Sequence, residues 1–408
     1  MARDRASDAG RARPSRRQFL LGGAVAGAGA AAAIGVDLAL QQRPAPEPAT
    51  DAPPAGARTV PFHGAHQAGV ATDAQAHATL LALDLHDDTG RDGLRRLMRI
   101  LSDDAARLTQ GRAALADSEP ELATAAACLT VTFAVGPRFV ERAGAVGPAW
   151  LRPLPAFTVD RLDPAYCDGD LLIQVAADDP LTVAHAVRML LKDARGFADL
   201  RWTQRGFRRA YGTERPGTTM RNLFGQVDGT VNPLPGTPDF DEVVWCTEGW
   251  LAGGTGMVVR RIRMDLDGWD RLDRSGREQS VGRRLANGAP LTGVDEFDEP
   301  DFDAIGATGF PVIPAFAHMR RARGDGTDRI FRRAYNYDEA GDAASVSDSG
   351  LVFISFQADV DRQFTPMQRR LDELDLLNEW TTPVGSAVFA VLPGCAEGGY
   401  VGETLLEA

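Results

Sequence analysis

Lysine is almost missing from this chain of 408 residues, in which Lys192 is the only lysine among 44 basic residues. Histidine is scarce as well, with six residues, and the four cysteines stand far apart without a Cys-X-X-Cys pair. The cysteine and histidine spacings therefore match no zinc or iron–sulfur site. We expect mostly buried free thiols, and the sequence leaves open whether any disulfide forms. The cysteines are Cys128, Cys167, Cys246 and Cys395.

Positive charge is also in deficit, with a net charge of −12. Residues 1–40 are nevertheless rich in arginine, so the rest of the chain is more acidic still. Binding to a phosphate backbone requires an excess of cations, and nucleic acid is therefore not an expected partner. No apolar run after residue 40 is long enough to span a membrane, so no span is expected once the leader is removed.

The first forty residues have the form of an export signal. The sequence SRRQFL at residues 15–20 places paired arginines before a weakly apolar stretch of glycine and alanine that runs to about Leu40. This form predicts a twin-arginine signal peptide over residues 1–40 and a periplasmic, extracellular or cell-wall location. An uncleaved anchor is the alternative, although Asp37 makes the stretch a poor spanning helix. Because the twin-arginine route moves folded proteins, the leader favours a chain that takes up a cofactor before export.

After the leader, residues 41–58 are rich in proline and alanine and predict a linker. Further on, the order strand, long excursion, strand, helix, strand occurs twice, once in residues 59–215 and once in residues 216–408. We therefore predict an α+β fold made of two ferredoxin-like units with antiparallel sheets. The predicted strands are 129–135, 170–176, 200–202, 257–264, 351–356 and 387–391, and the predicted helices are 74–85, 93–108, 366–379 and one that begins at Pro180.

One segment, residues 315–338, combines a histidine with many arginines in the sequence AFAHMRRARGDGTDRIFRRAYNYD. It lies in an excursion over about 265–350, and loops of that length are usually functional. A single imidazole beside many fixed cations suits an iron porphyrin, because the imidazole binds the metal and guanidiniums neutralise two propionates. A histidine that caps a solvated basic loop is the alternative on this segment alone. The residues are His318, Arg320, Arg321, Arg323, Arg329, Arg332 and Arg333.

A second informative segment, RNLFGQVDGTVNP, occupies residues 221–233. Gly225 and Gly229 bracket Asp228 and let the backbone approach a flat, bulky group. The Asn-Pro pair at residues 232–233 ends the segment. On its own, such a pattern of glycines around an aspartate is also typical of a structural turn.

These motifs resemble those of the dye-decolorizing (DyP-type) haem peroxidases. Residues 225–229 resemble the GxxDG signature of that family, and the Ala-His pair at 317–318 with RIFRRAYNY at 329–337 resembles its histidine segment. The resemblance covers roughly residues 58–400 and is strongest to the exported subfamily that includes bacterial deferrochelatase/peroxidases. Other matching stretches are PFHGAHQAG at 61–69, RLDP at 161–164, GGT at 253–255, VVRRI at 258–262, and the segments 364–370, 377–379 and 384–386.

The resemblance implies one haem b per chain, held in the C-terminal half, with His318 as the iron ligand. A carboxylate of the 372–379 region is the candidate acceptor for the second N–H of this imidazole. Asp228 would move a proton between the peroxide oxygens, and Arg332 would stabilise the negative charge that builds there; a propionate clamp is the alternative role for Arg332. Further cofactor contacts are implied for Gly229, Thr230, Val231, Arg323, Gly324, Asp325 and Arg332.

The implied activity is reduction of H2O2 through a ferryl intermediate, with oxidation of dyes, phenols or similar organic donors. The implied fold joins the two ferredoxin-like units in one dimeric α+β-barrel-like arrangement. A deferrochelatase-like release of iron from haem in iron uptake shares the same pocket, and a non-enzymatic haem-binding module is a further alternative. Iron-uptake proteins or a copper chaperone are candidate partners, and the oligomeric state is open. His63 and His66 are expected to be structural and to lie in the first strand of the N-terminal unit.

Overall fold

The computed structural model describes residues 54–341 and 347–408. The predicted leader and residues 41–53 of the predicted linker lie outside the described residues. Within the described part, no helix combines the length and the apolar character needed to cross a membrane. The strands are β1 His77–Leu85, β2 Thr130–Val135, β3 Leu171–Ala177, β4 Ala198–Phe207, β5 Thr255–Met264, β6 Phe331–Arg332, β7 Tyr335–Ala340, β8 Ser347–Gln357 and β9 Thr381–Val391. The α-helices are α1 Arg91–Leu108, α2 Pro137–Arg142, α3 Pro180–Ala194, α4 Pro238–Val244, α5 Leu266–Asp270, α6 Arg274–Val281, α7 His318–Arg323, α8 Thr365–Leu374 and α9 Glu403–Leu406.

Eight of the strands form a closed antiparallel ring in the order β5-β9-β2-β3-β1-β4-β7-β8, because β8 also pairs with β5. Short β6 adds to β8. The two halves of the chain meet at two narrow seams: β2 pairs with β9 at two positions, and β4 pairs with β7 only at Phe207 and Asn336. Closure satisfies the backbone groups that an open sheet would leave at its edges.

Strands β1, β2 and β3 of the N-terminal half are buried on both faces, and this explains one wrong prediction. In β1, Leu80 and Ala82 belong to an apolar cluster shared by strands of both halves, whereas Leu81 and Leu83 pack with α1 and α3. A strand buried on both sides loses the alternation of polar and apolar residues. The segment 74–85 was therefore predicted as a helix, but residues 77–85 form β1.

Other elements agree with the sequence predictions apart from their ends. Helix α8 ends at Leu374, and a short 3₁₀ turn follows instead of the helix predicted to residue 379. The expectation that His63 and His66 lie in a strand is wrong, because both lie in the irregular segment before β1. His66 stacks on Trp245 with ring centroids 3.8 Å apart. All four cysteines are free, as expected.

A pair of acidic side chains lies between α1 and α3. Asp104 of α1 is 2% exposed and accepts a hydrogen bond of 2.8 Å from the backbone N–H of Leu115. Burial, and after it the neighbouring Asp104 carboxylate, raise the pKa of Asp193 on α3 to about 7. Oδ2 of Asp193 has no hydrogen-bond partner among residues 54–341 and 347–408. Above pH 7 the pair therefore carries two neighbouring charges inside the fold, which is unfavourable.

Replacing Asp193 by asparagine is expected to raise the melting temperature at pH 8 by about 2–4 °C, and to leave it unchanged near pH 4. The pKa of this carboxyl is higher in the folded chain than in the unfolded chain, so folded protein holds the proton more tightly. Stability therefore falls as pH rises from about 4 to about 7. Melting curves followed by circular dichroism at both pH values measure the difference. Asp88→Asn, at an exposed position before α1, is the control; an equal shift at both pH values would contradict the assignment.

Candidate active site

His318 is the first residue of α7 and follows the fully buried Ala317. Its Nδ1 lies 2.6 Å from Oδ2 of Asp375, in the segment that connects α8 to the next turn. Oδ1 of Asp375 accepts a second hydrogen bond, of 3.0 Å, from the backbone N–H of Leu377. The backbone N–H of Leu376 donates to the carbonyl of Phe316 at 3.0 Å, which fixes the two segments side by side. With Nδ1 as the donor to Asp375, Nε2 keeps its lone pair for another partner.

The charge state of His318 reflects three neighbours. Burial on its own lowers the pKa of the imidazole, but the Asp375 carboxylate more than offsets burial, and the pKa is raised overall. Arg332 acts to lower this pKa and Asp228 acts to raise it. All four groups therefore belong to one electrostatic site, although they come from four separate segments of the chain. The candidate acceptor in the 372–379 region proves to be Asp375.

Asp228 and Arg332 form an ion pair in which Nη1 of the arginine lies 2.8 Å from Oδ1 of the aspartate. The side chains are 11% exposed for Asp228 and 27% exposed for Arg332, so water reaches the arginine more easily. The other carboxylate oxygen, Oδ2, receives only a long hydrogen bond of 3.3 Å from Nδ2 of Asn222. Asp228 therefore keeps one oxygen with spare capacity to accept a proton.

A tight hairpin places Asp228 in this position. Arg221 and Val227 pair as an isolated bridge, and the backbone N–H of Asp228 donates to the carbonyl of Met220 at 2.8 Å. Gly225, at φ 77°, closes the hairpin in the left-handed region that favours glycine. From the sequence, Gly225 was expected to let the backbone approach a bulky group. In the structure, this glycine is instead required by the turn that positions the Asp228 carboxylate.

A group of guanidiniums lies beside the Asp228–Arg332 pair. Burial lowers the pKa of Arg283, which is 6% exposed; Glu296 acts to raise it, and Arg332 and Arg323 act to lower it. Arg283 donates to the carbonyl of Gly288 at 2.6 Å and to that of Glu296 at 2.9 Å. The guanidiniums of Arg323 and Arg332 both act on Arg283, and two propionate carboxylates have the charge and chemistry that guanidiniums bind.

Thr230 is also fixed near these guanidiniums. Its hydroxyl donates to Oε1 of Glu296 at 2.9 Å, and the hydroxyl of Thr219 donates to the same oxygen at 2.6 Å. Gly229, at φ 125°, precedes it in backbone that side chains disfavour, and Val231 is 68% exposed. The implied contact segment 229–231 therefore begins beside the Asp228–Arg332 ion pair and continues to the protein surface.

Contacts of the loop after α7 account for the presence of Gly324 and Asp325. A Cβ on Gly324 would lie 2.7 Å from the guanidinium of Arg370, which donates to the carbonyls of Arg321 and Ala322. Hydrogen bonds from Thr327 lower the pKa of Asp325 and stabilise a turn within the same loop. The contacts of these two residues therefore shape the chain after α7. Arg323 forms an ion pair of 2.5 Å with Glu299.

The described residues contain no group of three or more histidine, cysteine, aspartate or glutamate side chains that could hold a metal ion. A metal bound to His318 would therefore take its remaining ligands from a group that is not part of these residues. A porphyrin provides four nitrogen ligands of this kind and needs only an axial imidazole from the protein. The donor set and the neighbouring cations thus fit an iron porphyrin.

Two family models match the chain. The model for the N-terminal part of the Dyp-type peroxidases matches residues 67–208, and the model for the C-terminal part matches residues 219–396. The chain belongs to the Dyp-type peroxidase family. His318, Asp228 and Arg332 all lie within the part that matches the C-terminal model.

Known relatives of this Dyp-type peroxidase are similar over most of their length. The dye-decolorizing peroxidase of Thermobifida fusca is 38% identical over 362 residues, which covers 84% of each chain. The deferrochelatase of Yersinia pseudotuberculosis is 35% identical over 424 residues, covering 97% of this chain and 95% of that protein. The crystal structure of a DyP-type peroxidase from Cellulomonas bogoriensis is 55% identical with a TM-score of 0.84, covering 87% of this chain and 99% of the other.

Two arginines near the site of this Dyp-type peroxidase were missed from sequence. Arg283 lies outside both informative segments, and no motif distinguishes it from the other arginines. Arg208 directly follows β4; burial lowers its pKa to about 10, with Tyr335 and Asp228 acting to raise it. Its Nε donates to the carbonyl of Ala334 at 2.8 Å. Only the three-dimensional arrangement brings these cations to Asp228 and Arg332.

Proposed function

We propose that this Dyp-type peroxidase is a haem-dependent peroxidase that uses one haem b per chain, with His318 as the iron ligand. The observation that carries the proposal is the imidazole whose Nδ1 is bound to Asp375 while Nε2 remains available. The site also has three guanidiniums, those of Arg283, Arg323 and Arg332, whose chemistry suits two propionates. When bound, haem supplies the iron-centred redox chemistry that no protein side chain provides. The substrates are H2O2 and a reducing organic donor such as a dye or a phenol.

The protein residues carry out the proton and charge chemistry of peroxide cleavage. Oδ2 of Asp228 accepts a proton from one peroxide oxygen and returns it to the other, which leaves as water. Nη1 of Arg332 stabilises the negative charge that develops on the departing oxygen. The 2.8 Å ion pair holds the acid–base group and the charge together before peroxide enters. The overall reaction consumes H2O2, two protons and two donor electrons and yields two water molecules.

Cofactor contacts follow from the same arrangement. We assign the propionates to Arg323, Arg332 and Arg283, because Arg323 and Arg332 are both near enough to Arg283 to lower its pKa. Residues 229–231 would border the porphyrin on the side of Asp228. Gly324 and Asp325 would contribute through the backbone of the loop after α7, since their side-chain positions are accounted for by that loop.

The proposed organisation has two ferredoxin-like units, at residues 59–215 and 216–408, in a barrel that also forms dimers. The strand order supports the repeat, since the N-terminal half reads β4-β1-β3-β2 and the C-terminal half reads β9-β5-β8-β7. Numbered within each half, with the two-residue strand β6 left out, both orders are fourth, first, third, second. The separate family matches to residues 67–208 and 219–396 support the same division. For residues 1–40 we propose a twin-arginine leader and export.

A deferrochelatase-like release of iron from haem is the second candidate function. It is favoured by the relative of that name in Yersinia pseudotuberculosis, which aligns over 97% of this chain. Both functions use the same pocket, so the residues described above do not separate them.

Supplying haem to the purified protein is expected to produce a Soret band at one haem per chain and peroxide-dependent oxidation of ABTS. Iron release would appear instead as fluorescence of metal-free porphyrin, which we expect to be absent during turnover. Protein that gives no Soret band after haem supply would contradict both functions. A Soret band with porphyrin fluorescence and no ABTS oxidation would favour the deferrochelatase reading.

A further inference from the structure

Arg332 lies on a strand whose outer edge has no neighbouring strand among the described residues. Strand β6 contains only Phe331 and Arg332 and pairs with β8, where Arg332 is opposite Ser355. The next residue, Arg333, donates its backbone N–H to the carbonyl of Ile354 at 2.9 Å. Because alternate residues of an antiparallel strand point their backbone groups to opposite sides, the N–H and C=O of Arg332 point away from β8. Partly buried backbone groups of this kind require partners.

The side chain of Asn232 provides both partners. Its Oδ1 accepts the backbone N–H of Arg332 at 2.9 Å, and its Nδ2 donates to the carbonyl of Arg332 at 2.7 Å. A primary amide carries one acceptor and a donor group on the same carbon, so it reproduces the hydrogen bonding of a peptide group. Aspartate lacks the donor when ionised, and alanine lacks both groups. Residue 232 must therefore carry an amide side chain to satisfy both backbone groups of Arg332, and another polar side chain would not suffice.

Asn232 also belongs to the loop that carries Asp228. Its backbone N–H donates to the carbonyl of Gly229 at 3.1 Å and closes the turn directly after the catalytic aspartate. The amide thus joins the segment of Asp228 to the backbone of Arg332, in parallel with the 2.8 Å ion pair between their side chains. Without the amide, the ion pair alone would hold β6 against this loop.

We propose that Asn232 is a positioning residue for peroxide cleavage, which holds the backbone of Arg332 so that its guanidinium stays against Asp228. The inference rests on the proposed function for its catalytic consequence, but not for the hydrogen bonds themselves. Asn222, which contacts Oδ2 of Asp228, has no such link to Arg332. Small displacements of a charge-stabilising group have large effects on rate, since stabilisation depends on its position relative to the developing charge.

Asn232→Ala is expected to lower kcat/KM for H2O2 by about 10- to 100-fold, with Asn232→Asp between alanine and the native residue. The KM for the organic donor and the Soret absorbance per chain should stay unchanged, because the substitution affects the peroxide step. In the double variant with Arg332→Leu, the two losses should not multiply, since both act through one guanidinium. Multiplicative losses, or losses confined to the donor KM, would overturn the proposal.

A measurement on haem-free protein separates this inference from the proposed function. Loss of the acceptor should speed hydrogen–deuterium exchange at the amide of Arg332 in Asn232→Ala, whether or not haem is bound. The matched control is Asn287→Ala, which removes a side-chain hydrogen bond of 2.7 Å to the carbonyl of Val294 in another loop. The control should leave both the exchange at Arg332 and the peroxide rate unchanged. If Asn232→Ala speeds exchange at the Arg332 amide but leaves the peroxide rate of the haem-loaded enzyme unchanged, Asn232 has only a structural role. If exchange at the Arg332 amide is unchanged, the hydrogen bond between Asn232 and Arg332 is refuted.

Discussion

Asp228→Asn is expected to lower kcat/KM for H2O2 by about 10²- to 10⁴-fold. Asparagine keeps the shape of the side chain and an oxygen that accepts from Nη1 of Arg332, but it cannot take up and return a proton. The loss should therefore appear in the peroxide step, while haem content per chain stays the same. Stopped-flow absorbance after mixing with H2O2 measures this step directly.

Two further variants, Asp241→Asn and Arg332→Leu, test whether the effect of Asp228→Asn is specific to the peroxide step. Asp241→Asn changes an exposed carboxylate on α4 and should leave the peroxide rate unaltered. Arg332→Leu removes the charge that stabilises the departing oxygen and should slow the same step. A rate for Asp228→Asn within threefold of the wild type, at equal haem content, would show that another group moves the proton.

Loss of the imidazole is the second large effect that we expect. His318→Ala should abolish peroxidase activity and weaken haem retention, because no other histidine contacts Asp375 in the described residues. Free imidazole added to the variant should restore part of the Soret spectrum, since it can occupy the space of the missing side chain. Titration with haem, followed by absorbance, gives the affinity. Retention and turnover equal to those of the wild type would show that the iron ligand lies elsewhere.

Substitution of Asp375, the hydrogen-bond partner of His318, should have a smaller effect on activity, and a control can separate this effect from a loss of stability. Asp375→Asn should lower activity or metal affinity by about 10- to 100-fold, as is usual when the group that orients a ligand histidine is removed. Asp372→Asn is a close control, because this carboxylate accepts hydrogen bonds from Thr158 and Val159 instead of from the histidine. Equal effects from both substitutions would indicate general destabilisation of the α8 region.

The sequence identified the residues with distinctive chemistry but not those that place them. A rare histidine, a glycine-bracketed aspartate and an arginine-rich segment are visible as local patterns, but each pattern also suits a loop or a turn. The roles predicted for His318, Asp228 and Arg332 therefore depend on the resemblance of both segments to the DyP family. The hydrogen-bond acceptor of His318 could be predicted only as a carboxylate within residues 372–379, where carboxylates are frequent. The structure identifies it as Asp375. Asn232 was interpreted only as the end of a segment. Its partner is the backbone of Arg332, and contacts between segments a hundred positions apart leave no local pattern.

The same limit applies to the fold. Strands with clear apolar runs, such as 130–135 and 171–177, were located within a residue or two. Burial on both faces hid β1, because that strand lacks alternation. The closed ring depends on which strands become neighbours, and the pairing of β2 with β9 is a matter of tertiary packing rather than of either sequence alone. The repeated order of elements was nevertheless visible in the chain.

The seams of the ring set the order in which the molecule can be completed. Strand β9, which ends at Val391, pairs with both β5 and β2. During synthesis, the N-terminal strands can pair among themselves, but the ring cannot close until β9 has left the ribosome. Such late, distant pairing slows folding. The segment with Asp375 emerges only just before β9, so His318 waits for its partner until the same late stage.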